Sequence, residues 1–185
     1  MRLIIHDLTE EEFKELGFTT ENQIVVSKEA PIRHCIGCFG CWVKTPAACV
    51  IRDDYGDMGH KISRCDELLV ISRCVYGGFS PFVKNVLDRS ISYIHPFFTK
   101  RNHEMHHRRR YKNKIDFRVW FYGNMIGSEQ ETARKLIKAN GINLDVASFT
   151  VDFFSNVETL PHDLRNQKLS LQEELSMVGK EVNSI

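Results

Sequence analysis

The sequence predicts an α/β fold built on a doubly wound parallel sheet, and three observations lead there. Five short apolar runs, at 2–6, 23–27, 67–72, 116–123 and 144–151, have the length and β-branched content of buried strands. Helix-start signals fall in the gaps between them, which is the alternation that packs helices on both faces of a parallel sheet. The length of 185 residues suits one domain. In such a sheet, ligands sit outside the carboxyl ends of the strands where the strand order reverses. The loops after His6, Ser72 and Gly123 are therefore the places to look.

The elements follow in order. "RLIIH" (2–6) opens the sheet, and Thr9 with Glu12 forms a capping box before Phe13 and Leu16, with Gly17 closing a helix of about two turns. "QIVVS" (23–27) and "ELLVIS" (67–72) are the next strands. Ser80 as cap and Pro81 in the first turn start a helix whose apolar stripe is Phe82, Val83, Val86, Leu87 and Ile91. "DFRVWFYG" (116–123) is the fourth strand. Ser128 with Glu131 predicts a further capped helix running through Ala133, Leu136 and Ile137 to Gly141, before a fifth strand at 144–151. An amphipathic pattern closes the chain at 163–182.

Composition narrows the function class. Hydrophobic residues make up 42% and charged residues 26%, the balance of a globular protein rather than a disordered one. No apolar run reaches the roughly 20 residues of a membrane-spanning helix, and "MRLIIHDL" is too short and too soon acidic for a signal peptide, so a cytoplasmic location is expected. In that compartment six reduced cysteines point to metal or redox chemistry more than to disulfides. The net charge of +1 conceals a basic stretch, "KRNHEMHHRRRYKNK" (100–114), which reads as a solvated surface loop. Without a known binding motif it does not make nucleic acid the expected partner. "HEMHH" (103–107) satisfies H-E-x-x-H, but its flanks are not those of an apolar helix, and the match reads as accidental.

The loop after the third strand carries the most information. In "ISRCVYGGFSPFVKNVLDR" (71–89), Tyr76, Gly77 and Gly78 lie between a strand end and a capped helix, where backbone amides and aromatic faces can meet a flat heteroaromatic ligand. Arg73, Cys74, Val75, Tyr76, Gly77, Gly78, Lys84, Asp88 and Arg89 resemble the flavin-wrapping segment of the flavodoxin-like NAD(P)H-dependent FMN reductases, with Arg73-Cys74 in place of the usual Ser-Pro or Thr-Pro. "CIGCFGCW" running into "CVIRDD" (35–42, 49–54) is similar to one branch of that family, as is "EMHHRRRY" (104–111). The resemblance implies a flavodoxin-like three-layer sandwich with strand order 2-1-3-4-5, shortened here in its first helix. It also implies FMN as cofactor, NAD(P)H as co-substrate, a small-molecule acceptor or redox protein as partner, and a homodimer. Arg73 to Phe79 would hold the ring, residues 35–42 would wall the pocket, and His106, His107 and Arg108 would face the substrate. Cys74 is the isolated cysteine placed beside the flavin.

Two features stand against a simple transfer. The family's phosphate-cradling loop is replaced by "HDLTEEEF", whose acids already satisfy the positive end of the helix that follows. The phosphate must then be held elsewhere, for instance by Arg33 or a partner subunit's basic segment, or flavin binding is weakened. The spacing C-x2-C-x2-C-x7-C at Cys35, Cys38, Cys41 and Cys49 offers the four thiolates of a [4Fe-4S] cluster, as in the related iron-sulfur flavoproteins, or of a zinc site. The same run also suits a thiol or packing role, with Gly37 and Gly40 allowing a close approach. The reading is an FMN-dependent NAD(P)H oxidoreductase; the alternatives are an iron-sulfur electron-transfer flavoprotein and a flavin-less, non-catalytic binding domain.

Overall fold

The computed structural model describes residues 1–19 and 21–162 of the chain; the amphipathic pattern at 163–182 lies outside them. Among the described residues seven strands and five α-helices follow one another: β1 (Arg2–His6), α1 (Glu10–Glu15), β2 (Gln23–Val26), α2 (Gly40–Val43), α3 (Met58–Ser63), β3 (Glu67–Arg73), α4 (Pro81–Arg89), β4 (Ile94–Arg101), β5 (Glu104–Arg109), β6 (Asp116–Tyr122), α5 (Gly127–Leu144) and β7 (Ser148–Phe154). Five strands make one parallel sheet in the order β2-β1-β3-β6-β7. With the β4-β5 hairpin set aside, this is the expected 2-1-3-4-5 order of a flavodoxin-like fold. The order reverses between β1 and β3.

Side-chain alternation divides the core. Leu3 and Ile5 of β1, Leu68 and Val70 of β3, and Phe117, Val119 and Phe121 of β6 share one face with Met58, Ile62, Val83, Val86, Ala133 and Ile137 from α3, α4 and α5. Ile4, Leu69 and Ile71 point the other way, onto Leu8 and Leu16 beside α1 and onto Leu160. β1 is buried along its whole length because strands flank it and apolar layers cover both faces.

Local signals hold where capping decides the structure. Thr9 Oγ1 accepts from the Glu12 amide at 3.2 Å and Glu12 Oε2 accepts from the Thr9 amide at 2.7 Å, closing the capping box. Gly17 takes the left-handed conformation just past the helix. Ser80 accepts from the Val83 amide, with Pro81 in the first turn of α4. Elsewhere the structure departs from the pattern. α5 is capped at Glu129, whose carboxylate accepts from the Ile126 amide at 3.1 Å, and not at Ser128 with Glu131. It also runs through Gly141 to Leu144, so the last strand begins at Ser148 rather than 144. Residues 94–109 form an antiparallel hairpin where a loop was expected. That strand geometry removes the helical turn that the H-E-x-x-H pattern needs.

His6 closes β1 with its ring stacked 4.1 Å from Phe13 and is 2% exposed. Burial, helped by the charge of Lys28, lowers its pKa to about 4. The unfolded chain takes up this proton near pH 6.5 and the folded chain only near 4, so stability falls as pH drops through that window. Wild type should lose about 2–3 kcal/mol more than His6→Phe between neutral pH and pH 4. Urea denaturation across pH measures the difference, and parallel curves would refute the assignment.

Candidate functional site

At the carboxyl ends of β1, β3 and β6 lies a cleft of 600 Å3 lined by Asp7, Lys28, Arg73 to Tyr76, Ser80, Pro81, Phe82, Tyr122 and Glu129. This is the reversal point of the strand order, the position where a doubly wound sheet binds ligands. A second cavity of similar size, 640 Å3, sits beside α1 with His6, Phe13 and Phe18 in its walls. The cleft is the stronger candidate because it gathers three strand ends at the switch point.

The floor of the cleft is polar and internally paired. Asp7, the residue after β1, accepts from the Arg73 amide at 3.0 Å through Oδ2 and from the Tyr122 hydroxyl at 3.0 Å through Oδ1. Burial, and then the Asp7 charge, push the Tyr122 phenol well above its ordinary range, so it stays a hydrogen-bond donor at neutral pH. Pro81 and Phe82, at the start of α4, supply the apolar side. Ser72 Oγ accepts from the Ser80 amide at 2.9 Å and donates to the Arg73 carbonyl, tying strand end to helix start.

The loop over the cleft is a tight turn. Val75 and Gly78 exchange both backbone hydrogen bonds at 2.9 Å, with Tyr76 and Gly77 in left-handed conformations between them. Gly77 is required twice over: its φ is +77°, and a Cβ there would lie 2.7 Å from the Glu129 carbonyl and from Thr132 Cβ. The turn uses the Val75 and Gly78 amides internally, and the Cys74 amide goes to the Tyr122 carbonyl. What the loop offers a ligand is therefore mainly surface. Tyr76 stands 89% exposed beside the cleft, whereas Phe79 is buried against Phe121 and belongs to the core. Cys74 is half-buried, and burial raises its thiol pKa.

The cysteine segment lies elsewhere. Residues 35–42 do not wall the cleft: Cys35, Cys38, Cys41 and Cys49 together line a separate cavity of 280 Å3 with Ile51, Asp88, Arg89 and Ile91. Phe82 faces the cleft and Arg89 the cysteines, seven residues or about 10 Å apart along α4. Gly40 packs so closely on Val50 that a Cβ would meet its Cγ1 at 2.5 Å. The Gly40 amide points at Cys38 Sγ at 3.4 Å and Arg89 Nε at Cys49 Sγ at 3.1 Å, while the buried Cys41 thiol has a raised pKa, from burial first and then from its cysteine neighbours. The donor set and its N–H partners suit a sulfur-ligated cluster. Among the described residues, however, no three His, Cys, Asp or Glu side chains converge on one metal position.

Arg89 organises this region. All five of its N–H groups are used: Nε on Cys49 Sγ, Nη1 on Asp53 Oδ2 and the Arg33 carbonyl, and Nη2 on Asp53 Oδ1 and the Ile51 carbonyl. Its side chain is fully buried, and its hydrogen bonds hold the Asp53 carboxyl down at about 2. Arg33, offered as a phosphate ligand, contributes backbone groups here.

The histidines expected on the substrate side do not reach the cleft of their own chain. His107 lies between Trp42 and Phe98, with ring centroids 4.9 and 4.7 Å away, and Phe39 stacks on Trp42 at 5.1 Å. His106 pairs with Glu104 and lines a cavity with Arg101, Asp145 and Phe149 near the amino end of β7, and Arg108 is exposed on the hairpin. Sequence reading missed Tyr122 and placed Asp7 among the acids at the helix start, whereas its carboxylate serves the Arg73 amide and the Tyr122 hydroxyl. Asp7 and Tyr122 directly follow or end a strand at the switch point, which was the available signal.

Arg89→Met should cost about 3–5 kcal/mol, because it strands the Asp53 carboxylate. Chemical denaturation reads the loss, and faster alkylation of Cys49 should accompany it. A variant as stable as wild type would show that the pair does not hold the segment.

Comparison with known proteins agrees with the fold. No family model matches the chain. Two Archaeoglobus fulgidus proteins described as iron-sulfur flavoproteins are 30% and 29% identical over 88 and 89 residues, 48% of this chain. The matches span 41% and 39% of those relatives' lengths. Among solved structures, an FMN-dependent NADH-azoreductase from Bacillus anthracis in complex with FMN superposes with a TM-score of 0.52 at 9% identity, covering 96% of this chain and 98% of that one. An NAD(P)H:quinone oxidoreductase from Methanothermobacter marburgensis gives 0.51 at 12% identity, covering 94% of each chain. The chain shares the flavodoxin-like fold of these reductases. Among the described residues no helix is long and apolar enough to cross a membrane.

Proposed function

We propose that the chain is a flavin-dependent NAD(P)H oxidoreductase that reduces a small acceptor or a redox protein. The observation that carries this reading is the cleft at the switch point, with Tyr76 raised on a rigid two-residue turn above it and Pro81 and Phe82 forming its apolar side. A flat tricyclic ring fits that lining chemically, since an aromatic face and an apolar wall stand over a polar floor. FMN is the flavin that the loop's resemblance implies and the one bound in the Bacillus anthracis neighbour.

A bound flavin supplies the hydride and electron chemistry, so the chain's own task is placement. Tyr76 would pack on the ring, Pro81 and Phe82 would keep water from it, and Asp7 with Tyr122 holds the floor rigid. Arg73 to Gly78 form the holding loop, Phe79 anchors it from below, and no side chain has to act as acid or base. The sheet, its helices and the hairpin work as one cytoplasmic domain, and two copies pair. In such a dimer the partner's hairpin, carrying His106, His107 and Arg108, would stand at the open side of the cleft, where NAD(P)H and the acceptor would bind.

A second reading, an iron-sulfur flavoprotein, is favoured by the four cysteines lining one cavity and by the two Archaeoglobus relatives, both iron-sulfur flavoproteins. Cys35, Cys38, Cys41 and Cys49 would hold the cluster, with Arg89 and the Gly40 amide donating to its sulfur ligands.

Anaerobically purified protein should show a flavin spectrum, or acquire one on adding flavin, and then oxidise NAD(P)H. Tyr76→Ala should weaken flavin binding roughly two- to twelvefold, the worth of one aromatic contact. Equimolar iron and acid-labile sulfide would establish the second reading. Colourless protein that binds no flavin would leave a non-catalytic domain.

A further inference from the structure

Charge and hydrogen bonding at the switch point deepen the flavin reading, on which this step rests. A phosphate is ordinarily received at the first strand-to-helix turn of such a sheet by free backbone amides and the positive end of a helix. Here three of those amides are already engaged. The Asp7 amide reaches the Ile71 carbonyl at 3.4 Å, the Thr9 amide the Glu12 carboxylate at 2.7 Å, and the Glu12 amide the Thr9 hydroxyl at 3.2 Å. From across the switch, the Arg73 amide and the Tyr122 hydroxyl both serve the Asp7 carboxylate. α1 has six residues with Glu10, Glu11 and Glu12 in its first turn, so its positive end is already neutralised. The cleft's cations, Lys28 and Arg73, are balanced by Asp7 and Glu129 in the same lining. Around this turn and cleft the carboxylates Asp7, Glu10, Glu11, Glu12 and Glu129 outnumber the cations Lys14, Lys28 and Arg73, so a dianion entering here meets a net negative field.

We propose that the cleft selects the uncharged flavin, riboflavin, over its phosphate ester, and that Asp7 is the residue that sets this preference. The carboxylate does in the protein what a ligand phosphate would do: it accepts from the Arg73 amide and the Tyr122 hydroxyl. Ring contacts provide the affinity, and the phosphate subtracts from it.

Quenching of flavin fluorescence on titration with the full chain, in low and high salt and at a pH where the ester carries two charges, tests this. Riboflavin should bind at least about tenfold more tightly than FMN in low salt. The gap should narrow in high salt, which screens the repulsion, and in Asp7→Asn, which removes the charge while keeping an acceptor. FMN binding as tightly as riboflavin or more so in the wild type would overturn the proposal while leaving the flavin reading intact. A gap that neither salt nor Asp7→Asn alters would also overturn it, since charge would then not be the cause. If Asp7→Asn fails to fold, the salt series on wild type decides alone. Binding of neither flavin would bring down the flavin reading and this proposal with it.

Discussion

The buried pair between Arg89 and Asp53 is the constraint on which the architecture of this end of the molecule depends. A fully buried guanidinium is tolerated only when every N–H is satisfied, and here one side chain joins α4 to Arg33, Cys49, Ile51 and Asp53. Four positions in the long connection between β2 and β3 are thereby fixed to one helix terminus. Two sequence features that look unrelated, Asp53 after the last close-spaced cysteine and an arginine ending a helix 36 residues on, are two halves of one interaction.

The other end of α4 has a different task. Ser80 and Pro81 start the helix at the cleft, and Ser72 ties that start to the end of β3. One rigid helix therefore separates a cleft with a polar floor and an apolar side from a cysteine-lined cavity. The cleft's floor is an internal polar triad of Asp7, Arg73 and Tyr122, which completes its own hydrogen bonding and leaves the walls to discriminate among ligands. That arrangement favours recognition by shape and stacking over recognition by charge.

What was legible in the sequence was what is decided locally. Thr9 with Glu12, and Ser80 with Pro81, lie within a turn of what they cap, and the parallel strands are continuous apolar runs because both their faces are covered. Gly77 was equally open to reading, since a φ of +77° selects glycine, whereas Tyr76 at +51° follows no residue preference and was not. The fifth strand was misplaced because Gly141 resembles a helix stop, whereas its missing side chain admits Phe149 against α5. The hairpin escaped because its strands are rich in basic residues and leave Phe97, Phe98 and Met105 exposed, so the usual alternation is absent. The Asp7–Tyr122 contact joins residues 115 apart, and no spacing rule reaches that far.

The central claim is that a flat ring occupies the switch-point cleft under Tyr76, and not the similarly sized cavity beside His6. Backbone amide shifts recorded by NMR during titration with lumiflavin, which carries the ring without the tail, address it directly. The account predicts the largest changes at 73–79 and 122–123. Changes centred on 6–14 and 23–29, or no saturable change anywhere, would contradict it.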